Sequence, residues 1–253
     1  MKKDKNTDRQ GEMSLVKFVD HQVNNNGVII HYLESMSESE INHKSPLVYI
    51  PGMLGFAEQF LDEMNEFKPR KCVSMSLRGC GKSSVPLTGY SFDDHFSDVE
   101  AVINNCGLSE FYLMAYSMGV PYAINAALKQ PDKIKGLIIC DYPPRMPQLP
   151  KDWVQKVLSN SVVEKSKKYF IPALQQELKE TDLTNQLDHI KCPVLVIRGL
   201  KEDAMLKTKF LKEYKDRLSN LEIVEFKDSG HQLWIPNYER FINVIKDFME
   251  KFE

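Results

Sequence analysis

No stretch of this sequence approaches the roughly 18 unbroken apolar residues that a membrane-spanning helix needs. Its longer apolar runs, such as Leu137–Cys140 and Val194–Ile197, have the length of buried strands. A surplus of one charge is also missing. Lysine plus arginine number 33 and aspartate plus glutamate 35, a formal net charge of −2, which argues against a protein built around a basic nucleic-acid footprint. The N-terminal MKKDK is basic, but no apolar h-region follows it, so no secretory leader is read there. Cysteine is scarce and scattered. Cys72, Cys80, Cys106, Cys140 and Cys192 form no CxxC pair, and an odd number cannot all be bridged. That usage fits a reduced, cytoplasmic setting better than a disulfide framework. His21, His31, His43, His95 and His189 lack mutual metal-ligand spacing. Asp93, Asp94 and Asp98 read as helix N-terminal and exposed-face charges. No metal and no cofactor is expected. Internal repeats and low-complexity tracts are absent.

What the 253 residues do contain is an alternation of strand-like and helix-like segments. Val16–Val19 and Val28–Leu33 read as an antiparallel pair with the NNNG turn before the second strand. Leu47–Ile50, Cys72–Leu77, Phe111–Ala115, Ile134–Cys140, Val194–Ile197 and Leu221–Phe226 read as further strands. Ala57–Asn65, Phe92–Cys106, Met118–Lys129, Phe210–Leu218 and Tyr238–Phe252 read as helices, the second by the spacing of Phe92, Phe96, Val99, Val102 and Ile103. Alternating β and α elements predict an α/β fold, a mostly parallel sheet with helices on both faces. The rhythm breaks between Tyr142 and about His189, first with Pro143, Pro144, Pro147 and Pro150 and then with helical pattern. That interruption is too long for an ordinary loop. The expected division is a core of residues 15–141 and 190–253, a helical lid of residues 142–189, and a polar lead-in of residues 1–14.

The sharpest local signal is Ala115-Tyr116-Ser117-Met118-Gly119, lying between a strand and a helix. A strained strand-to-helix turn there would lift the Ser117 hydroxyl above the sheet edge, provided small residues flank it two places away. A helix N-cap serine fits the pentapeptide equally well. A serine nucleophile needs a base, and the base needs an acid to orient it. The chain supplies Arg198-Gly199-Leu200-Lys201-Glu202-Asp203 at the end of one late strand and Asp228-Ser229-Gly230-His231 after the last. His231 lies at the strand edge where open α/β sheets bind ligands. Gly81-Lys82-Ser83 imitates the end of a phosphate-binding loop, but Ser76 stands where that motif begins with glycine, so nucleotide binding is not expected.

These patches resemble the α/β-hydrolase superfamily over roughly Val28 to Phe252. Pro51-Gly52-Met53-Leu54-Gly55 resembles the family's His-Gly oxyanion loop, with Pro51 in place of histidine. Ser76-Leu77-Arg78-Gly79-Cys80-Gly81-Lys82-Ser83 resembles its Asp-x-Arg-Gly-x-Gly-x-Ser turn, with Ser76 in place of aspartate. The elbow at Ser117 and the pair Gly230-His231 complete the set. The resemblance implies Ser117 as nucleophile and His231 as base. It implies Asp203 as the preferred acid, with Glu202 as runner-up and Asp141 as a third candidate. Main-chain N–H groups of Met53 and Met118 would form the oxyanion hole. Leu54, Tyr116, Trp153 and Trp234 are the expected pocket residues, and the lid is expected to cover Ser117.

The activity this implies is hydrolysis of a small carboxylic ester or thioester through an acyl-enzyme. A C–C bond hydrolase, or a lyase-like synthase of the menaquinone-pathway type, would use the same triad. Basic residues facing Ser117 would favour a polyanionic substrate, and an apolar tunnel an acyl chain. A non-catalytic ligand receptor on the same fold would carry a broken triad. Haloalkane dehalogenases and epoxide hydrolases need aspartate where Ser117 stands. The expected partner is a small-molecule substrate, with no nucleic acid and no membrane, on a monomer or homodimer.

Overall fold

The structure, a computed structural model, describes residues 17–36, 44–159 and 165–253. The lead-in of residues 1–14, and Val16 of the expected first strand, lie outside the described residues. The chain opens with β1 (Phe18–Asn25) and β2 (Val28–Ser35), followed by β3 (Leu47–Ile50), α1 (Leu61–Glu66), β4 (Cys72–Met75), α2 (Phe92–Asn105), β5 (Phe111–Tyr116), α3 (Val120–Lys129) and β6 (Ile134–Cys140). An insertion holds β7 (Arg145–Met146), α4 (Lys151–Ser159), α5 (Ile171–Glu177) and β8 (Thr181–Asp182). The chain closes with β9 (Val194–Gly199), α6 (Thr208–Arg217), β10 (Leu221–Phe226) and α7 (Tyr238–Lys251).

Eight strands form one sheet in the order β1-β2-β4-β3-β5-β6-β9-β10. β2 runs antiparallel to both of its neighbours, and the other pairings are parallel. The β1–β2 hairpin turns on Asn26 and Gly27, at φ +51° and +89°. Asparagine and glycine tolerate that left-handed geometry, and the paired positive φ values match the twist of the flanking strands.

Period-two alternation along β5 divides its side chains between two cores. Leu113 and Ala115 join the core that contains α2 and α3, whereas Tyr112 and Met114 join the core that contains α7. On α7, Phe241, Ile242, Ile245, Phe248 and Met249 are buried, a helical stripe turned to the sheet. Each such side chain stabilises the fold by roughly 1.5–3 kcal/mol relative to exposure.

The β4–α2 turn is held by buried polar groups. Arg78 donates to both carboxylate oxygens of Asp98, at 2.6 and 2.7 Å, and to the main-chain carbonyls of Gly89 and Asp94. Asp98 is 1 % exposed, so it is not the exposed-face charge that its helical position suggested. The burial is tolerated because the guanidinium satisfies it bidentately. Ser76, in the place of the expected aspartate, accepts from the Ala57 N–H at 2.9 Å and hydrogen-bonds His31 Nδ1 at 3.0 Å. His31 Nε2 reaches Asp20 at 2.8 Å. Ser76 and His31 are completely buried, and this string of serine, histidine and aspartate fastens strands together.

Several boundaries differ from expectation; the first strand, expected over Val16–Val19, runs Phe18–Asn25, and the strand expected over Cys72–Leu77 ends at Met75. The helix expected over Ala57–Asn65 is a 3-10 turn, Ala57–Phe60, followed by α1. The helical pattern of the expected lid is divided between α4 and a separate 3-10 turn, Lys165–Phe170, and residues 160–164 between them lie outside the described residues. The strands β7 and β8 were not foreseen, since two-residue strands carry no periodicity. They pair at the base of the insertion, where Arg145 bonds Glu213 at 2.6 Å and Thr184 at 3.0 Å. Among the described residues, no helix is long and apolar enough to cross a membrane.

Candidate active site

β5 delivers Ser117. The strand ends at Tyr116, and Ser117 takes φ +53° before a 3-10 turn leads into α3. A non-glycine residue in that region is strained, and the surroundings must impose it. Here they do so by close approach. A Cβ on Gly119 would lie 2.4 Å from the Pro51 carbonyl, and a Cβ on Gly52 would lie 2.9 Å from Ser117 Cβ. The two glycines therefore let the Pro51–Gly55 loop and the start of α3 close around the serine. Ala115, where the motif often has glycine, is fully buried, and its methyl is accommodated.

The loop after β10 delivers His231. Its Nε2 lies 2.9 Å from Ser117 Oγ, and its Nδ1 lies 2.8 Å from Asp141 Oδ2. With the proton on Nδ1 donated to Asp141, Nε2 is free to accept from the Ser117 hydroxyl. Tyr116 stacks on the imidazole with centroids 4.7 Å apart.

The carboxylate partner of His231 is thus Asp141, and the preferred acid Asp203 is corrected. Asp141 follows β6 at φ +49°, and its side chain is completely buried. Its oxygens also accept from the main-chain N–H groups of Met205 at 2.8 Å, Leu206 at 3.3 Å and Gly199 at 3.4 Å. Asp203 instead accepts from the His231 main-chain N–H at 3.3 Å. Its carboxylate lies so close to Gly230 that a Cβ there would fall 1.9 Å from Oδ1. Asp203 holds the backbone of the histidine loop while Asp141 holds the ring. Glu202 is exposed, and its main-chain carbonyl accepts from Lys207 at 2.7 Å.

Beside Met118, the residue after Ser117, lies a narrow cleft. Met53, Leu54 and Met118 line it, the two methionines expected at the oxyanion hole among them. Phe170, Leu174 and Leu178 of the insertion form the facing wall. The insertion is fastened there by several bonds. Glu177 accepts from the N–H groups of Gly89 and Tyr90 at 2.7 and 2.8 Å, and the Tyr169 hydroxyl donates to the Val85 carbonyl at 2.7 Å.

Of the expected pocket residues, only Leu54 lines this cleft. Trp153 is half-buried against the insertion's own apolar side chains and the core. Tyr116 and Trp234 line a second cavity of about 760 Å³, mouth included, with Tyr49, Phe60 and Tyr238. The alternation of β5 explains the displacement, because Tyr116 shares the face of Met114 rather than that of Ala115. Sequence reasoning missed Leu77, Arg78, Cys80, His95 and Tyr122, which complete the cleft. Arg78 is the one basic side chain among the cleft-lining residues described, and Asp98 already engages it.

A family model described as "alpha/beta hydrolase fold" matches residues 45–163. This match, over just under half of the chain, supports the α/β-hydrolase superfamily. It is 25% identical to the AB hydrolase superfamily protein YisY of Bacillus subtilis (strain 168), over 86% of this chain and 98% of that protein. Among solved structures it is similar to an esterase (EaEST) from Exiguobacterium antarcticum, with TM-score 0.73 and 20% identity over 92% of this chain and 100% of that one. It is also similar to the enol-lactonase from Burkholderia xenovorans LB400, with TM-score 0.71 and 18% identity over 91% and 100% of the two chains. The fold and the hydrolase class expected from the sequence therefore hold.

Proposed function

We propose that this hydrolase cleaves carboxylic esters or thioesters with an apolar acyl group, through an acyl-enzyme on Ser117. The single observation that carries the reading is the continuous relay from Ser117 Oγ through His231 to Asp141, with both hydrogen bonds under 3 Å. In the first step Ser117 Oγ attacks the carbonyl carbon and its proton passes to His231 Nε2. Asp141 orients the imidazole and stabilises its protonated form. The carbonyl oxygen becomes an oxyanion, received by the N–H groups of Met53 and Met118, where the start of a helix adds favourable field. The C–O or C–S bond breaks as His231 returns the proton to the leaving group. Water, deprotonated by His231, then attacks the acyl carbon and regenerates the serine hydroxyl.

The cleft supports an acyl chain over a polyanion. Its walls are mostly apolar, and the guanidinium of Arg78 is spent on Asp98. That weighs against the synthase-like alternative, which would need unspent basic groups. The insertion acts as a lid in this reading, setting the size of the acyl group through Phe170, Leu174 and Leu178. The test is labelling by a fluorophosphonate probe, mapped to Ser117, followed by an acyl chain-length panel of esters and thioesters. The expected result is labelling at Ser117 and a preference for apolar acyl groups. Labelling elsewhere, or turnover of polyanionic substrates alone, overturns it.

A further inference from the structure

The deep lining of the cleft is not wholly apolar. His95 on α2 and Tyr122 on α3 both line it, and they are only 4 % and 3 % exposed. Their rings stack in parallel, centroids 5.6 Å apart with 9° between planes, so they present one joined surface. His95 Nδ1 is committed to the Ser91 carbonyl at 3.0 Å, which fixes the ring proton on that nitrogen. Burial holds His95 neutral, its pKa pushed down to about 4, with Arg78 nearby also disfavouring the charged form and Asp98 and Asp94 opposing it. Nε2 is therefore a lone-pair acceptor. Among the described residues, no protein group bonds His95 Nε2 or the Tyr122 hydroxyl, and neither atom is sealed from solvent. Burial keeps the Tyr122 phenol protonated, so it can both donate and accept.

Two adjacent polar groups that line the cleft without a protein partner are open to a partner from the cleft, water or a substrate hydroxyl. We propose that His95 and Tyr122 form a specificity site for a hydroxyl on the acyl group, so that the preferred substrate is an ester of a hydroxylated carboxylic acid. The substrate hydroxyl donates to His95 Nε2 and accepts from Tyr122 Oη. The apolar side chains around them, Leu77, Leu174 and Leu178, accommodate the intervening methylenes. A plain acyl chain long enough to reach the pair would strip both groups of water without replacing the bonds. Sites built to bond a hydroxyl discriminate strongly against analogues that lack it. This inference rests on the ester-hydrolase reading for its substrate, but the pairing itself is a binding property.

The experiment uses the full chain and two matched series of methyl esters. One series is of alkanoic acids and the other of the corresponding hydroxyalkanoic acids, lengthened one carbon at a time, with acid release titrated. At one hydroxyl position the hydroxy ester is expected to exceed its plain counterpart in kcat/KM by about tenfold or more. That ratio should collapse towards one in His95→Phe, fall in Tyr122→Phe, and be partly kept in His95→Gln, whose amide oxygen can still accept. Parallel values for both series at every length, as expected if water serves the pair, overturn the inference and leave the ester reading standing. Absence of any ester turnover together with absence of Ser117 labelling overturns the ester reading instead. In that event the inference is read from thermal stabilisation by the free acids. A larger shift with hydroxy acids than with alkanoic acids, lost in His95→Phe, supports it, and equal shifts contradict it.

Discussion

Ser117 and Asp141 occupy equivalent places on neighbouring strands. Each is the first residue beyond its strand, the strand-end residues Tyr116 and Cys140 are register partners, and both residues take positive φ, +53° and +49°. The sheet itself thus sets the proposed nucleophile and its carboxylate side by side, and the histidine from the last loop bridges them. Strained non-glycine backbone at both positions marks where the fold is held against its local preference.

The first prediction follows from that pairing. Asp141→Asn should lower kcat by roughly 10²–10⁴-fold with folding intact, because the imidazole loses its orienting carboxylate. Asp203→Asn should cost about tenfold or less, since it weakens only a bond to the His231 main chain. Glu202→Gln should leave activity close to wild type. Steady-state kinetics on one activated ester ranks the three, and an Asp203 variant worse than the Asp141 variant would reverse the assignment.

Gly230 provides a second test. A methyl group there would collide with the Asp203 carboxylate, to which its three nearest atoms all belong. Gly230→Ala should displace the histidine loop and reduce kcat/KM by about tenfold or more. The double variant Gly230→Ala with Asp203→Ala should recover part of the loss. Greater damage in the double variant would mean that the loop is held by Asp203 more than it is hindered.

The insertion's side of the cleft predicts a change of selectivity. Phe170→Ala removes a ring from the cleft wall and from its contact with Gly79, where a Cβ would meet that ring at 2.8 Å. The expected outcome is a shift of the acyl optimum towards longer or bulkier groups. Trp153→Ala, at a residue outside the cleft lining, should leave the optimum where it is. The same ester panel reads both variants, and a shift in Trp153→Ala alone would place the cleft elsewhere.

Acid stability offers a fourth measurement. The folded protein holds His95 neutral, with a pKa near 4 against 6.5 for a free histidine. The unfolded chain therefore binds a proton first as the pH falls. Stability on this account is untouched above about pH 6.5 and is lost progressively down to about pH 4, by on the order of 3 kcal/mol. Denaturant unfolding at pH 7 and pH 4.5 should show a smaller acid loss in His95→Gln than in the wild type. An equal loss would mean that the histidine does not contribute.

The residues that could be read from the sequence were those whose chemistry is local. Ser117 sits in a five-residue elbow, and His231 follows a glycine after the last strand. Both signals survive without any knowledge of the fold. The acid was not local. Asp141 precedes Tyr142, Pro143 and Pro144 and looks like an ordinary turn residue, and its role depends on β6 lying next to β5. The positive φ that aims it is invisible in a non-glycine residue. Tyr116 could have been placed correctly, since it shares strand parity with Met114 and so turns away from the cleft. The buried Arg78–Asp98 pair joins residues 20 positions apart, and no spacing rule reveals that such charges are inside.

The central claim is that Ser117 carries the acyl group. The direct measurement is acid quenching of the enzyme during turnover of an activated ester, followed by intact mass and peptide mapping. The account predicts one acyl adduct, on the peptide containing Ser117, absent in Ser117→Ala, which should also lose about 10³-fold or more in kcat. Sustained turnover by Ser117→Ala, or an adduct on any other residue, would contradict it.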